Sequence, residues 1–263
     1  MSPVSSTFSL NFFQVSPFFF MQIFSKDSNL NFKKVENLYG LLKALLMEAR
    51  KKEDEQCAVA ILMFLDSRQS TIEFVYYLIS LRIEQSNDSK VILRESSYDT
   101  FFLTYVCRDR GHSFLKEMLG EAFELIKCYP QSFEINPDKI KNTFFLPSHR
   151  SNVSRICEKI IHSLVENVEN IPSEIRTICT IMKVLSYQKF KDEEIANYTS
   201  TAFFFLRFVS HAIALPDFWL GKTDSTDSVS QMRSALVYIS KLIQIWAQNI
   251  LYEVTNTPNF FKV

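Results

Sequence analysis

The chain has 263 residues, of which 47% are hydrophobic and 22% charged, and its 29 lysines and arginines balance 29 aspartates and glutamates. The hydrophobic share supports a sizeable core and excludes an intrinsically disordered chain, and the zero net charge argues against a nucleic-acid-binding protein. The four glycines are too few for the turns of a β-sandwich or a dinucleotide-binding fold, so the composition favours long helices.

Five cysteines occur, and no two of them have the CxxC spacing of a zinc site or a redox pair. Cys157 and His162 are five residues apart, which places them on different faces of a helix. We therefore expect reduced thiols in a cytoplasmic protein, with no metal and no cofactor.

The N-terminus is rich in phenylalanine between residues 8 and 24. Asn11, Gln14 and Gln22 interrupt this run, and Pro17 lies inside it, so it is too polar for a membrane-spanning helix and lacks the basic start of a signal peptide. We expect a peripheral element that packs on the domain, and a membrane-interfacial stretch is the alternative.

Hydrophobic residues recur at helical spacing along most of the chain, which predicts an all-α fold. The first predicted helix covers 35–49, the second starts at Cys57, and the third follows a capping box of Ser70 with Glu73. A polar loop is predicted over 85–90, and a short apolar run follows it.

The second part of the chain continues this pattern and has two long connections. Its helices are predicted at about 101–106, 114–126, 153–168, 175–185, 194–209 and 229–246. Three prolines predict an irregular connection over 128–151, and polar residues predict a loop over 217–227. A second capping box, Ser228 with Gln231, opens the last helix.

No motif of a self-contained active site is present. The chain lacks GxxxxGK, GxGxxG, GxSxG and HExxH, and none of its four histidines lies at ligand spacing from a cysteine or carboxylate. Two arginines are unusual for their surroundings: Arg94 follows an apolar run beside a loop, and Arg207 lies inside the apolar helix 202–216. Burying Arg207 is costly unless its donors are satisfied, so taken alone it predicts an ion pair or carbonyl contacts.

Both arginines lie in motifs of one family. The run Phe205-Leu206-Arg207-Phe208, with Ala212-Ile213 and Pro216 after it, resembles the FLR signature of Ras GTPase-activating proteins (FLRxxxPAIxxP). The run Leu93-Arg94-Glu95-Ser96-Ser97 resembles the family's arginine-finger motif (FRxNSxA) and precedes the first, as it does in the family.

The resemblance extends over about residues 57–263. It includes 78–84 before the finger motif, and 132–137, which is similar to a stretch of neurofibromin. The last helix also matches the family pattern, at Arg233, Leu236, Ser240, Lys241, Gln244 and Ala247. The resemblance implies a RasGAP-type helical domain over 57–263, preceded by an N-terminal extension, 1–56, with a flanking helix.

The family's function implies specific roles. The chain would not be an enzyme itself but would complete the active site of a Ras-family GTPase in its GTP-bound form. Arg94 would be the arginine finger, inserted in trans to stabilise the transition state of GTP hydrolysis. Arg207 would bond carbonyls of the finger loop and hold Arg94 in position. The GTPase-binding residues implied by the family are Phe205, Leu206, Ser210 and Lys241.

The chain departs from the family motifs at several positions. Ser96 replaces the asparagine of the finger motif, Asp99 takes the place of its small residue, and Glu95 puts a carboxylate beside the finger. Ser210-His211 replaces the asparagine-proline pair before Ala-Ile. Arg94 and Arg207 are both present, so the sequence favours an active domain.

Two alternatives stay open. One is a pseudo-GAP that binds a GTPase without accelerating hydrolysis, like the IQ-motif scaffold relatives; Arg94 argues against it, and Ser210-His211 argues for it. The other is a helical scaffold with chance motifs. The sequence does not choose between Ras, Rap and related switches. Recruitment to the inner face of the plasma membrane would need a partner or the phenylalanine-rich start.

Overall fold

The computed structural model describes residues 32–87, 92, 97–140, 142–220 and 226–247. Its α-helices in chain order are α1 (Phe32–Lys52), α2 (Glu55–Ser67), α3 (Thr71–Gln85), α4 (Tyr98–Cys128), α5 (Leu146–Glu166), α6 (Ser173–Phe190), α7 (Glu193–Ala202), α8 (Ser210–Ala214), α9 (Pro216–Leu220) and α10 (Thr226–Ala247). Short 3₁₀ helices occupy Pro130–Phe133, Thr143–Phe145 and Val168–Asn170, and a π-helical segment occupies Phe203–Val209. No β-strand occurs within these ranges, and the all-α prediction is confirmed.

Helix α4 is the centre of the fold. Its 31 residues span about 46 Å at the rise of an α-helix. It contacts helices on every side, namely α1, α2, α3, α5, α6, α9, α10 and the π segment. The face toward the core carries Phe102, Leu103, Cys107, Leu115 and Leu119, all buried. Burial of this apolar face is the main stabilising contribution to the arrangement.

The prediction of two separate helices within α4 was wrong. The chain passes from Tyr98 to Cys128 as one helix, through Gly111. A Cβ atom at Gly111 would lie 2.2 Å from Cε2 of Phe208, so the glycine makes room for a buried aromatic ring. Glycine weakens a helix by about 1 kcal/mol relative to alanine, and here the packing of Phe208 offsets that cost.

The connection predicted over 128–151 ends earlier than expected. Helix α5 starts at Leu146, with Pro147 in its first turn, where a missing amide hydrogen costs nothing. The predicted helix 194–209 is also different, since α7 ends at Ala202 and the chain continues as the π segment and α8. The predicted loop 217–227 begins with α9, and residues 221–225 lie outside the described ranges.

The capping box at Ser70 was also wrong. Ser70 precedes α3, but its hydroxyl donates to the carbonyl of Leu65 at 3.4 Å rather than capping the helix. The neighbouring Thr71 donates to Asp66 Oδ1 at 2.6 Å, so both hydroxyls join α3 to the end of α2. The second predicted capping box, Ser228 with Gln231, lies outside the described side chains.

Helix α1 packs into the same core as the rest of the fold, through Leu42 and Leu46. The division at residue 56 stays a prediction, and the phenylalanine-rich run 8–24 lies outside the described residues. Among the helices that the structure describes, none is both long and apolar enough to cross a membrane.

Candidate functional site

The predicted finger, Arg94, lies outside the described residues, together with Leu93, Glu95 and Ser96. The structure does describe both ends of the 86–97 segment that carries it, and one residue within it. That residue, Ile92, is buried and belongs to the core. Helix α3 ends just before the segment and α4 begins just after it, so the contacts at these two helix ends fix the residues that flank it.

Lys189 of α6 holds the start of the segment. Its Nζ donates to the carbonyl oxygens of Ile83 at 2.6 Å and Glu84 at 2.8 Å, and also to that of Ser86. The last carbonyls of a helix lack partners within the helix and carry its negative partial charge. One ammonium group therefore satisfies the C-terminal end of α3 and fixes where the chain leaves it.

An ion pair joins the two helix ends that flank the segment. Arg82 in the last turn of α3 donates from Nε to Asp99 Oδ2 at 2.8 Å and from Nη2 to Asp99 Oδ1 at 2.7 Å. Asp99 lies in the first turn of α4 and is 1% exposed. The two-bond fork restrains both position and orientation, and it supplies the buried carboxylate with a partner. The departure from the family motif at Asp99 thus has a counterpart in Arg82.

Hydrogen bonds of Ser97 and Thr100 hold the end of the segment. Thr100 Oγ1 accepts from the amide of Ser97 at 2.9 Å, and the two hydroxyl oxygens lie 3.3 Å apart. Such a cap satisfies amide groups that have no partner at a helix N-terminus. The described residues Ser86, Ile92 and Ser97 of the segment are thus each fixed by a hydrogen bond or by burial in the core.

Arg207 lies in the π segment. The amide of Ser210 donates to the carbonyl of Phe205, five residues back, and such π turns occur frequently at functional sites. Burial lowers the pKa of Arg207, the charge of Asp99 acts to raise it, and Arg82 acts to lower it. Arg207 therefore lies within electrostatic range of the Arg82–Asp99 pair, and its guanidinium stays charged because arginine titrates far above neutral pH.

The four predicted GTPase-binding residues lie along the π segment, α8 and α10. Phe205 and Ser210 are buried, Leu206 is half-buried, and Lys241 is exposed. Ser240 Oγ donates to the carbonyl of Ser210 at 3.1 Å, which joins α10 to α8. Their contact with a GTPase stays a prediction, and the burial of two of them indicates a supporting position beneath the surface.

Trp246 adds an exposed aromatic ring to this region. It packs edge-on against Phe205, with 6.0 Å between ring centroids, and it is 46% exposed. Sequence reasoning placed it only at the end of the last helix. Its position beside the FLR motif results from α10 packing along the π segment and α8.

His211, which departs from the family motif, forms a buried polar group with Trp219. Trp219 Nε1 donates to His211 Nδ1 at 3.0 Å, so this nitrogen accepts and the neutral ring carries its proton on Nε2. Burial lowers the pKa of His211, and the charge of Arg207 lowers it further. The carbonyl of Trp219 contacts His112 Nδ1 at 2.8 Å, which joins the group to α4.

A cleft of about 290 Å³ opens beside Arg207, between the start of α4, α8 and the junction of α1 with α2. Its polar lining consists of Arg50, Glu55, Thr100, Thr104, Tyr105, Arg207 and His211. The recess thus combines two guanidinium groups and one carboxylate with the apolar side chains of Phe101, Leu215 and Phe218. In the described parts of the chain, no three His, Cys, Asp or Glu side chains come together as a metal site.

Sequence reasoning missed Arg82, Asp99 and Lys189 as site residues. Arg82 and Asp99 are 17 positions apart, and Lys189 is more than 100 positions from the carbonyls it caps. No helical periodicity relates such positions. The one signal in the sequence was Asp99 at the small position of the finger motif, because a buried carboxylate requires a compensating cation.

Comparison with known proteins gives a family match. Residues 146–248 match the sequence model of the family described as GTPase-activator protein for Ras-like GTPase. Arg207, Ser210 and Lys241 lie inside this match, and Arg94 lies before it.

Individual relatives extend the similarity. The chain is 24% identical over 224 residues to Ras GTPase-activating protein 2 of Rattus norvegicus, covering 79% of this chain and 26% of that protein. It is 26% identical over 219 residues to the probable Ras GTPase-activating-like protein ngap of Dictyostelium discoideum, covering 82% of this chain and 24% of that protein. With Ras GTPase-activating protein 3 of Bos taurus it shares 23% identity over 220 residues, covering 83% and 26%.

The chain thus spans about a quarter of the length of these curated relatives. The similarity to neurofibromin stays a prediction. The resemblance to the wider family is confirmed, and this chain is a relative of the Ras GTPase-activating proteins, with their family match over residues 146–248.

Proposed function

We propose that this chain stimulates GTP hydrolysis by a Ras-family GTPase in its GTP-bound form, with Arg94 as the arginine finger. The chain acts as a regulator, because the nucleotide and the attacking water belong to the partner's active site. One observation supports this most strongly. Lys189 and the Arg82–Asp99 pair hold the helix ends that flank the segment that carries Arg94, and Arg207 lies within electrostatic range of that pair.

The chemistry explains why the segment must be held. Hydrolysis of GTP develops negative charge on the phosphate oxygens, and a guanidinium inserted from outside accelerates it by about 10³–10⁵-fold. An arginine is always charged and offers a planar fork of donors. A flexible loop would lose much of this gain in ordering the finger on binding, so contacts that position it beforehand raise the rate.

The exposure of each side chain in this region indicates which residues would contact the GTPase and which would support them. Leu206, Lys241 and Trp246 present side chains at the surface, and Phe205 and Ser210 support them from beneath. Lys241 supplies a positive charge for acidic residues of the partner, which favours association and fixes its orientation. We place this activity in the cytoplasm, with recruitment to the inner face of the plasma membrane.

A second candidate function is GTPase binding without acceleration. It is favoured by His211, where the family has proline. The ring is fixed by Trp219 and lies near Arg207, so a neutral, polar imidazole stands where the family motif has a proline ring. A displacement of the finger of only about 1 Å costs on the order of 10²-fold in rate, which would leave binding without stimulation.

Single-turnover GTP hydrolysis tests the proposal, with a panel of Ras-family GTPases and the chain as it exists. We expect stimulation by the wild-type chain and a loss of about 10³-fold in Arg94→Ala. Arg94→Lys should also lose most of the stimulation, because an ammonium does not offer the planar fork. Arg207→Ala should lose about 10²-fold through misplacement of the finger.

Arg68→Ala is the matched control. Arg68 is an exposed arginine in the turn before α3, whereas the segment follows α3. This variant should stimulate like the wild type. Binding of each variant to a GTPase held in its GTP-bound state by a non-hydrolysable analogue separates the two candidates. Binding without stimulation by the wild type would favour the second function, and the absence of both would overturn the proposal.

A further inference from the structure

Two adjacent exposed phenylalanines lie far from the FLR motif in sequence. Phe144 is 81% exposed and Phe145 is 52% exposed, and both belong to the 3₁₀ helix that precedes α5. Such a pair is unusual on a protein surface, because each ring leaves a large apolar area in water. We call this pair, with the basic stretch around it, the 139–155 surface.

Local hydrogen bonds hold the two rings outward. Asn142 Oδ1 accepts from the amide of Phe144 at 3.0 Å, and the amide of Phe145 donates to the carbonyl of Asn142 at 3.2 Å. The two rings pack edge-on at 5.8 Å, and Phe145 stacks on His149 at 6.4 Å. The exposure of Phe144 is therefore a property of a fixed turn.

The sequence stretch that carries the rings is basic. Between residues 139 and 157 the sequence contains no aspartate or glutamate, although the whole chain has zero net charge. The exposed basic residues described in this stretch are Lys139 and Arg155, Arg150 is half-buried, and Asp138 and Glu158 flank the stretch on either side. The N-terminus of α5, which starts directly after Phe145, adds the positive end of a helix dipole.

We propose that the 139–155 surface binds an anionic lipid bilayer, with Phe144 and Phe145 inserted at the headgroup level and Lys139 and Arg155 on the lipid phosphates. Protruding aromatic rings among cations are the combination that peripheral membrane elements use. The basic residues select an anionic partner. The ring of Phe144, which is 81% exposed, protrudes from the surface as insertion into the headgroup region requires. This inference does not depend on GTPase activation.

The 139–155 surface lies apart from the predicted GTPase-binding residues of α10. Lys139 Nζ donates to Ser234 Oγ at 3.2 Å in the first half of α10, whereas Trp246 packs on Phe205 near the end of that helix. Ser234 and Trp246 are separated by about 18 Å along the helix axis. The two surfaces thus lie at different positions along α10.

Vesicle co-sedimentation of the full chain tests the proposal, with phosphatidylcholine vesicles that contain or lack phosphatidylserine. We expect binding only to the anionic vesicles, and weaker binding at high salt. The double variant Phe144→Ser/Phe145→Ser should lower the partition coefficient by about 30-fold or more. Lys139→Gln should lower it by about fivefold.

Matched control variants distinguish binding through this surface from nonspecific adsorption to vesicles. Met63→Ser removes an apolar side chain that is 67% exposed on α2, and Lys52→Gln removes an exposed charge at the end of α1; neither should change binding. Thermal unfolding by circular dichroism checks that each variant is folded.

A direct probe at the site excludes binding through another segment, including residues 8–24. Compared with the wild type, the added tryptophan emission of Phe144→Trp should shift to the blue with anionic vesicles, and that of Met63→Trp should not. An unchanged emission of the Phe144→Trp variant on binding, or no binding to anionic vesicles, would overturn the proposal. Concentration-dependent self-association that is abolished by Phe144→Ser/Phe145→Ser would instead assign the surface to a second copy of the chain.

Discussion

Two glycines of α4 provide a matched pair of substitutions with opposite expected effects. At Gly120 an added Cβ meets no atom within 4 Å, whereas at Gly111 it would lie 2.2 Å from Cε2 and 2.5 Å from Cζ of Phe208. Helix propensity favours alanine over glycine by about 1 kcal/mol at both positions. The difference between the two variants therefore isolates the packing of Phe208.

The magnitude follows from how tightly that ring is enclosed. Phe208 is fully buried, stacks on Phe114 at 6.1 Å and meets Phe204 and Trp219 edge-on at 5.6 and 5.7 Å. The ring must move by roughly 1 Å to restore a normal carbon–carbon separation. Overpacking of this kind costs about 1–3 kcal/mol, which exceeds the helix gain. We expect Gly111→Ala to destabilise the chain by up to about 2 kcal/mol and Gly120→Ala to stabilise it by about 0.5–1 kcal/mol.

Urea unfolding, followed by circular dichroism, gives both free energies of unfolding from the shift in midpoint. Phe208→Leu in the Gly111→Ala background should recover part of the loss, and the double-mutant cycle measures the coupling. Because Arg207 adjoins Phe208, stimulation of hydrolysis should fall in Gly111→Ala and not in Gly120→Ala. Equal stabilities of the two alanine variants would refute the role assigned to this contact.

Three further predictions concern buried polar groups and thiols. Asp99→Asn should destabilise the chain by about 3 kcal/mol, because it leaves the Arg82 guanidinium without a counter-charge; a loss below about 1 kcal/mol by denaturant unfolding would contradict this. The pKa of His211 is lowered from its ordinary 6.5 by burial and by Arg207, so its contribution to stability is fully present above pH 6.5 and is lost as the pH falls through the lowered pKa. We choose pH 7.5 and pH 5.5 for measuring the unfolding midpoint. The difference between the two midpoints should be smaller in His211→Asn, whose amide oxygen can still accept from Trp219, than in the wild type. An unchanged difference would exclude His211 as the titrating group. Cys128 is the exposed cysteine, and burial raises the pKa of the Cys107 and Cys179 thiols, so a thiol reagent should label Cys128 first; mass spectrometry of the labelled chain checks the order, and early labelling of Cys107 would contradict the packing.

Part of the site was predictable because its signal is local. Arg207 is a candidate because it is a charge inside an apolar run, and Arg94 is a candidate because of its motif. The contacts that surround them were not predictable. Arg82 with Asp99, and Lys189 with the end of α3, join positions that are distant in sequence, and each residue alone resembles an ordinary surface charge.

The π segment is a second feature that local sequence could not predict. Its amide bond from Ser210 to Phe205 is a backbone register that ordinary helix periodicity does not include. Phe204, Phe205 and Phe208 pack there against one another, and against Trp246 and Trp219 of other helices. The register follows from that packing.

The amino-acid sequence by itself determined the all-α class, the approximate place of most helices and the two motif arginines, because these depend on residues three or four positions apart or on short runs. It did not determine that α4 is one helix, since the space around Gly111 is filled by a ring about a hundred positions away. Only the tertiary structure decided which charges are paired, which motif residues are buried and which aromatic rings stay exposed. The physical reason is that burial and ion pairing depend on distances across the fold, and those distances exist only once α4, the π segment and α10 have packed together.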